Sequence, residues 1–490
     1  MSFLAPLAAA GAVRRESLRT LLDRVSGLGN GAQRLAALRA ADTDGLAQAD
    51  RVILRMIARG IEREEALRRR FPFGKADGSS PYVLSQRHGA YLRIGSGAAA
   101  AETEDVAREI ELETEQLQAE AARGVAPPAF LIDAVLTAER ALAAGDLARD
   151  LRGPLARQMA ALERIRAGAA AAPGVWRLRG GSDYYALRLR CTAGVDASPI
   201  EVERRIGEDS RRLMGRADRL LIGFGLSRGS VGARLRALKR TPEFLYPKSE
   251  SGRSRAVADM NSALARLRPY LPGRFSPPLG LGSSVRRMSP DDERAARRGY
   301  RDPPTAAGPG AYYPDLSALN ERPSWTLTTV AYHETIPGHL LQLGHQAAAD
   351  PHPLQVRYAP GFSEGWATYA EALVDDMGLL SPAEQVGLIQ SLLFRLARVT
   401  CDIGIHFRQW DRARAIAYLE EIVGFELFFP FAVEVDRYAA EPGAFAGDAT
   451  VALTLRRLGQ KAAASGRLRH FHAAVLDRGP MSAEAIERIV

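Results

Sequence analysis

Cysteine is nearly absent. Cys191 and Cys401 are the two thiols in 490 residues, too few for a disulfide framework or for a zinc ribbon built on four sulfurs. Cys401 also falls in a helical pattern, which argues against a single bridge. Lysine is almost as scarce. Lys75, Lys239, Lys248 and Lys461 are the four lysines, so nearly all of the 66 basic residues are arginines. These are spread among acids in an Ala-rich, Lys-poor usage typical of high-GC bacterial coding. The net charge of +9 therefore builds no basic stripe interleaved with aromatics, and the reading is of no nucleic-acid partner. No apolar run approaches the roughly 18 residues of a membrane span. The start, Met1–Val13, is apolar but short and lacks a basic n-region, which leaves the compartment open between the cytoplasm and, if a signal was removed, export. No internal repeat of 20–50 residues is present. Nothing in the sequence specifies the oligomeric state.

Histidine is sparse too, and its distribution is uneven. Four of the eight histidines (His333, His339, His345, His352) lie within twenty residues. The run His333-Glu334-Thr335-Ile336-Pro337-Gly338-His339 is followed by Glu364, 25 positions after the second histidine. Two imidazoles and a carboxylate suit a catalytic zinc, which takes three protein ligands and leaves a fourth position to water. The metal lowers the pKa of that water, and a neighbouring carboxylate takes its proton. His333, His339 and Glu364 are the expected ligands, and Glu334 the expected general base.

The spacing departs from H-E-x-x-H, in which i and i+4 share a helix face. At i+6 the two rings of a regular helix would point roughly 240° apart. Pro337 cannot return an N–H to the His333 carbonyl and clashes with it, and Gly338 tolerates unusual backbone angles. A two-residue bulge over Thr335–Gly338 would place His339 where an i+4 histidine normally sits.

Further residues are read from helical periodicity. Glu371 lies seven positions after Glu364, on the same face, and is expected to steady a ligand histidine ring. Arg395, Arg398, Asp402 and His406 stripe one face of an otherwise apolar helix that could line a cleft. Asp402 is expected to accept the second N–H of a ligand histidine and His406 to stabilise an oxyanion. Arg395 and Arg437 are expected to hold substrate, and Tyr438 to polarise the scissile carbonyl. His345, His352, His470 and His472 are not read as ligands, and the last two look like tail residues. Gly361-Phe362-Ser363-Glu364-Gly365 also fits the nucleophile elbow of serine hydrolases, but Val356–Tyr358 is a poor strand and Pro360 intervenes.

HETIPGH, Glu364-Gly365-Trp366-Ala367, Asp402-Ile403-Gly404-Ile405-His406, Arg437-Tyr438 and Pro442-Gly443 together resemble the DUF885 family, as do Gly181–Ala186 and Ser198–Val202 upstream. The resemblance covers roughly residues 80–460. It implies a place among zinc-metallopeptidase-like (gluzincin) proteins, similar to helical oligopeptidases and carboxypeptidases. It also implies a mainly α, zincin-like fold with a small β-sheet beside the metal-binding helix. Two departures stand out. Leu340 follows His339 where the family usually has another histidine. Ala444-Phe445 stands where it usually has Gln-Ala and a tyrosine, which bears on substrate preference and activity.

The chain divides at a change of texture near Ala171–Gly181. Residues 1–170 read as an N-terminal helical region and 171–490 as the catalytic region, packed as one unit. Stripes through Leu18–Val25 and Ile53–Ile61, and long patterns over 102–122 and 128–170, predict helices. Tyr184–Cys191 fits strand or helix. Strands are predicted near Leu281–Met288 and Gly310–Leu316, and one of them should offer an edge to substrate backbone. From Ser324 onward the pattern is helical: 325–346, 364–377, 382–409, 411–424, 428–439 and 446–463. The leading expectation is a zinc-dependent hydrolase acting on the amide bond of a peptide or peptide-like substrate. A hydrolase of small non-peptide amides, or an inactive ligand-binding member, are the alternatives.

Overall fold

Leu21, Leu22 and Val25 form the buried face of α1 (Leu18–Ser26), whose first turn Ser17 caps by accepting from the Thr20 N–H. The computed structural model describes residues 17–75, 78–94, 100–276 and 282–490; Met1–Val13 and Leu281 lie outside them. α2 (Gly31–Arg39) and α3 (Gln48–Arg70) follow, the latter burying Ile53, Ile57 and Ile61. Next come α4 (Ala100–Ala122), α5 (Ala129–Ala144) and α6 (Arg149–Ala167). The single helix expected over 128–170 is thus two, because the Gly145 N–H turns back to the Leu142 carbonyl and ends the first.

The ambiguous 184–191 segment is helical, within α7 (Gly181–Ala193). α8 (Pro199–Gly223) starts with a Ser198–Glu201 capping box and Pro199 in the first turn. α9 (Val231–Lys239) and α10 (Glu250–Leu267) lead to a small sheet interrupted by α11 (Pro290–Arg294). Its strands are β1 (Ser284–Val285), β2 (Tyr300–Asp302) and β3 (Ala311–Tyr313). β3 is central, parallel to β1 and antiparallel to β2 with Arg301 opposite Tyr312. β1 and β3 fall in the two predicted segments. β2 was not foreseen: three residues among arginines and prolines carry no readable alternation.

The rest is helical: α12 (Ser324–Glu334), α13 (His339–Ala349), α14 (Pro353–Arg357), α15 (Phe362–Asp376), α16 (Pro382–His406), α17 (Arg412–Ile422), α18 (Phe431–Ala440), α19 (Ala446–Ala464), α20 (Leu468–Leu476) and α21 (Ala483–Ile489). The chain is mainly helical, and among the described residues no helix is long and apolar enough to cross a membrane.

α16 is the axis of the packing. A helix apolar on all sides belongs inside a fold, and α16 is buried from Val386 almost continuously to His406. Leu393, Val399 and Ile405 are each essentially inaccessible, worth about 1.5–3 kcal/mol apiece. α8, α12, α17, α18 and α19 surround it. α15 lies against α19 at a distance only glycine permits: a Cβ on Gly361, whose φ is +71°, would fall 2.0 Å from the Gly447 carbonyl carbon. This close approach fixes where the first turn of α15, with Glu364, is held. One large core takes in α1–α3 as well as α7–α21, while Val83–Leu162 build a smaller one.

Candidate metal centre

The histidine motif straddles a break in the chain. α12 ends at Glu334, and Thr335 leaves helical geometry at φ −114°, ψ −106°. The Gly338 N–H reaches back to the Tyr332 carbonyl, six residues away, and the N–H groups of Leu340 and Leu341 both return to the Thr335 carbonyl. A regular helix returns to i−4, so the turn holds two surplus residues, as the spacing required. The Ile336–Pro337 peptide is cis. Gly338 is needed for space: a Cβ there would sit 2.0 Å from the His333 carbonyl oxygen. Trp366 of α15 donates its Nε1–H to the Pro337 carbonyl at 2.9 Å, tying the break to the helix that carries Glu364.

The break brings the rings of His333 and His339 together at 4.7 Å between centroids, nearly perpendicular at 85°. Glu364 turns one oxygen to each, 3.5 Å from His333 Nε2 and 3.3 Å from His339 Nε2. One donor atom from each of the three residues lies within 4.8 Å of the others. Zinc–ligand bonds of about 2.0–2.2 Å at tetrahedral angles separate neighbouring donors by about 3.3–3.6 Å, and both carboxylate–imidazole distances fall in that range.

A nearby carboxylate and a hydroxyl set the rings. Glu371, 1% exposed, places Oε1 2.8 Å from His333 Nδ1. Ser363 donates to Gln342 Oε1 and is 3.1 Å from His339 Nδ1; Gln342 Nε2 in turn donates to Gln346. That chain assigns the His339 proton to Nδ1 and leaves a bare lone pair on Nε2. His339 Nε2 is buried and makes no hydrogen bond among the described residues, which leaves its lone pair open to an ion.

The electrostatics are those of a site short of positive charge. Burial and Arg395 push His333 down, but Glu364 and Glu371 outweigh them and raise it to about 9. Burial holds His339 below the usual histidine range against the pull of Glu364. Burial would raise Glu364, yet the two histidines and Arg395 beside it keep it well below the carboxylate range. Asp448 is pushed up to about 7 by burial and by the charge of Glu364. Seven carboxyl groups (Glu321, Glu334, Glu364, Glu371, Glu426, Glu434, Asp448) stand against five guanidiniums (Arg301, Arg322, Arg395, Arg398, Arg437) among the residues lining the cavity. A divalent cation balances that difference, so donor type, separation, lone pair and charge all fit zinc or a similar ion.

The cavity over this site holds about 610 Å³. Tyr300 and Arg301 of β2, with Gly299 just before it, line the cavity together with Phe394, Phe425, Phe428, Phe429 and Phe445. The edge strand at the cleft is therefore β2, neither of the two strands expected. Glu334 faces the cavity and pairs with Arg301. Arg301 gave no sequence signal, because the pairing exists only once the sheet lies against α12.

Several expected residues do not reach the cleft. His406 is wholly buried; its Nδ1 accepts from the Val175 N–H at 3.1 Å and its Nε2 donates to the Tyr438 carbonyl at 3.0 Å. With both nitrogens used it cannot meet an oxyanion. Asp402 accepts from Tyr185 Oη at 2.6 Å and the Gly443 N–H at 2.8 Å, and touches neither ligand histidine; Glu371 has that position. Tyr438 is a core side chain donating to Glu434 at 3.1 Å. The polar stripe of α16 is real, but the cavity spans only its middle turns and the rest is packed against other helices. Arg395 does line the cavity, yet its guanidinium is taken up by Glu364 at 3.3 Å and His333 at 3.2 Å, so it serves the donor cluster and is not free for substrate. Arg437 lines the cavity as expected.

Three other histidines have structural partners. His345 pairs with Asp477 at 2.7 Å, and His352 lies 3.3 Å from Asp23. His472 is no tail residue: it is buried, stacked on Phe275 at 4.4 Å and bonded to Tyr369 and the Arg274 carbonyl. Ser363 opens a helix that no strand precedes, so it is not a nucleophile elbow. Trp366 and Tyr369 are both core.

A family profile described as "Bacterial protein of unknown function (DUF885)" matches residues 28–490. The chain belongs to the DUF885 family. Among solved structures it is similar to a Colwellia psychrerythraea protein named as a lipoprotein. The TM-score is 0.77 at 22% identity, over 96% of this chain and 90% of that one. A Shewanella oneidensis protein named as a lipoprotein of unknown function matches with a TM-score of 0.65 at 15% identity, over 98% and 93%. At these identities the likeness is one of fold. No protein in the curated set matches the sequence.

Proposed function

We propose that this DUF885 member is a zinc-dependent hydrolase that cleaves an amide bond in a peptide or peptide-like substrate. The observation that carries the reading is the buried His339 Nε2 lone pair, without a hydrogen bond and 3.3 Å from Glu364, in a cluster completed by His333. Bound there, zinc supplies Lewis acidity toward water and a carbonyl oxygen. Glu371 and the Ser363–Gln342 pair orient the two rings. Glu334 accepts a proton from water at its carboxylate and returns it to the leaving nitrogen. Arg301 holds that carboxylate in place and offers a cation beside the reacting carbonyl. Substrate backbone pairs with the free edge of β2, and the phenylalanine wall takes its apolar side chains. A metal-bearing helix beside a sheet edge is a zincin-like arrangement, and all the residues named lie within 171–490, which we take as the hydrolytic region.

Purified protein should contain about one zinc per chain. His333→Ala and His339→Ala should each lose it, and Glu334→Gln should keep it while losing turnover of a peptide library. Undiminished turnover in Glu334→Gln, or unchanged zinc in both histidine variants, would refute the reading.

A further inference from the structure

One turn beyond Arg395 on α16, a second arginine faces the same cavity under different conditions. Arg398 is 9% exposed. Its Nε is buried and makes no hydrogen bond among the described residues; the Glu434 carboxylate lies 3.2 Å from it. Glu434 already accepts from Tyr438. The guanidinium lies flat against an aromatic platform, its carbon 3.5 Å from the Phe445 ring centroid. Arg437, from α18, rests on the same ring at 4.6 Å and is bonded to Glu441 at 3.4 Å. Two guanidiniums thus converge on one phenylalanine at the wall of the cleft. Arg398 pairs with Glu434 through Nε and also lines the cavity, where the planar fork of arginine matches a carboxylate.

Position along α16 says which anion. Arg395 touches Glu364, and Arg398 is three residues on, about 4.5 Å along the axis. A carboxylate held at Arg398 therefore lies one helical turn from the arginine that touches Glu364, in the same cavity as the His333–His339–Glu364 cluster. One residue of extended chain spans about 3.5 Å. Phe394, against which Arg398 also packs at 5.2 Å, stacks near Phe428 at 5.9 Å. Phe428 is 47% exposed at the cavity rim, an apolar surface for the side chain of that last residue.

We propose that Arg398 and Arg437, stacked on Phe445, bind the free α-carboxylate of a peptide C-terminus, so that the enzyme removes a single apolar C-terminal residue. This rests on the hydrolase reading above and adds to it the polarity and end-specificity of the substrate. Phe445 is one of the two positions at which the chain departs from the usual family pattern, and the departure falls on the platform itself.

The test offers the zinc-loaded protein one peptide ending in phenylalanine in two forms, free acid and C-terminal amide. The free acid should be cleaved with a kcat/KM about 10- to 100-fold higher, the range of a lost charge-assisted contact. Arg398→Gln, and Arg437→Gln should the first fail to fold, should raise KM for the acid and bring the acid-to-amide ratio toward one. Equal cleavage of both forms by the parent overturns the inference and leaves the hydrolase reading standing. If neither form is cleaved, the hydrolase reading fails on its own and calorimetry decides the rest. N-acetyl-phenylalanine should then bind the parent at least about 10-fold tighter than its amide does, a preference lost in Arg437→Gln. Equal binding of the two overturns the inference.

Discussion

Glu371→Gln should weaken zinc binding without unfolding the protein. The substitution keeps the size of the side chain and removes one charge. In the native site Glu371 Oε1 is 2.8 Å from His333 Nδ1 and 3.5 Å from Arg395, and at 1% exposure solvent and salt screen it little. A carboxylate at that distance favours the His333 proton on Nδ1 and a more basic Nε2. A partner of this kind is worth 10- to 100-fold in metal affinity, or about 1.4–2.8 kcal/mol. Gln keeps one acceptor, which sets the lower end of that range. It also leaves Arg395 with one fewer counter-charge, which works toward the upper end. Glu371→Ala should be worse for the fold itself, since it leaves a cavity and removes one of the two counter-charges of the buried Arg395. The measurement is competition for zinc against a chromophoric chelator, with thermal melts of the metal-free proteins as the control for folding. A folded Glu371→Gln protein whose zinc affinity stays within about twofold of the parent would show that Glu371 does not orient His333, and the assignment of roles around the site would fail.

Gly338→Ala puts a Cβ 2.0 Å from the His333 carbonyl oxygen and 2.5 Å from that of Tyr332. It should cost about 3 kcal/mol or more and abolish zinc retention, and a variant with normal zinc content would contradict the geometry of the break. Glu139 is fully buried with both carboxylate oxygens unpartnered among the described residues, and burial together with Glu113 pushes it from 4.5 up to about 8. Its neutral form is the stable one, so stability is present below pH 4.5 and lost as pH rises through 8, a change on the order of 5 kcal/mol. Glu139→Gln should therefore gain on the parent in melting temperature between pH 5 and pH 8, and a gap that stays constant with pH would sink the idea. His406 and His472 are both pushed down to about 4 by burial, so unfolded chains take up protons between pH 6.5 and 4 that the fold refuses. Each should contribute on the order of 3 kcal/mol that is present above pH 6.5 and gone by pH 4. In urea melts His472→Phe should flatten that slope, and an unchanged slope would show the ring is not held neutral.

The sequence by itself determined the helical character of the chain, the family, and the local chemistry of the histidine run. Those rest on short-range terms: apolar residues at a 3.6-residue period, capping residues such as Ser198 with Glu201, and the missing N–H of Pro337. The two surplus residues between His333 and His339 could be counted from spacing because a helix turn has a fixed length. Sequence periodicity also placed Arg395 and Arg398 on one face with Asp402 and His406, but it could not say where along that face the cavity would end. Only tertiary structure decided this. α16 is enclosed by other helices, so its C-terminal turns met Tyr185, Gly443 and Val175 while its middle turns met the cavity. Likewise Arg301 and the β2 edge became part of the site only when a three-residue strand docked beside α12. His472 moved from an apparent tail to the core because Phe275, nearly 200 residues earlier, lies against it. A side chain's partners across the fold depend on contacts between distant segments, and no local periodicity encodes those.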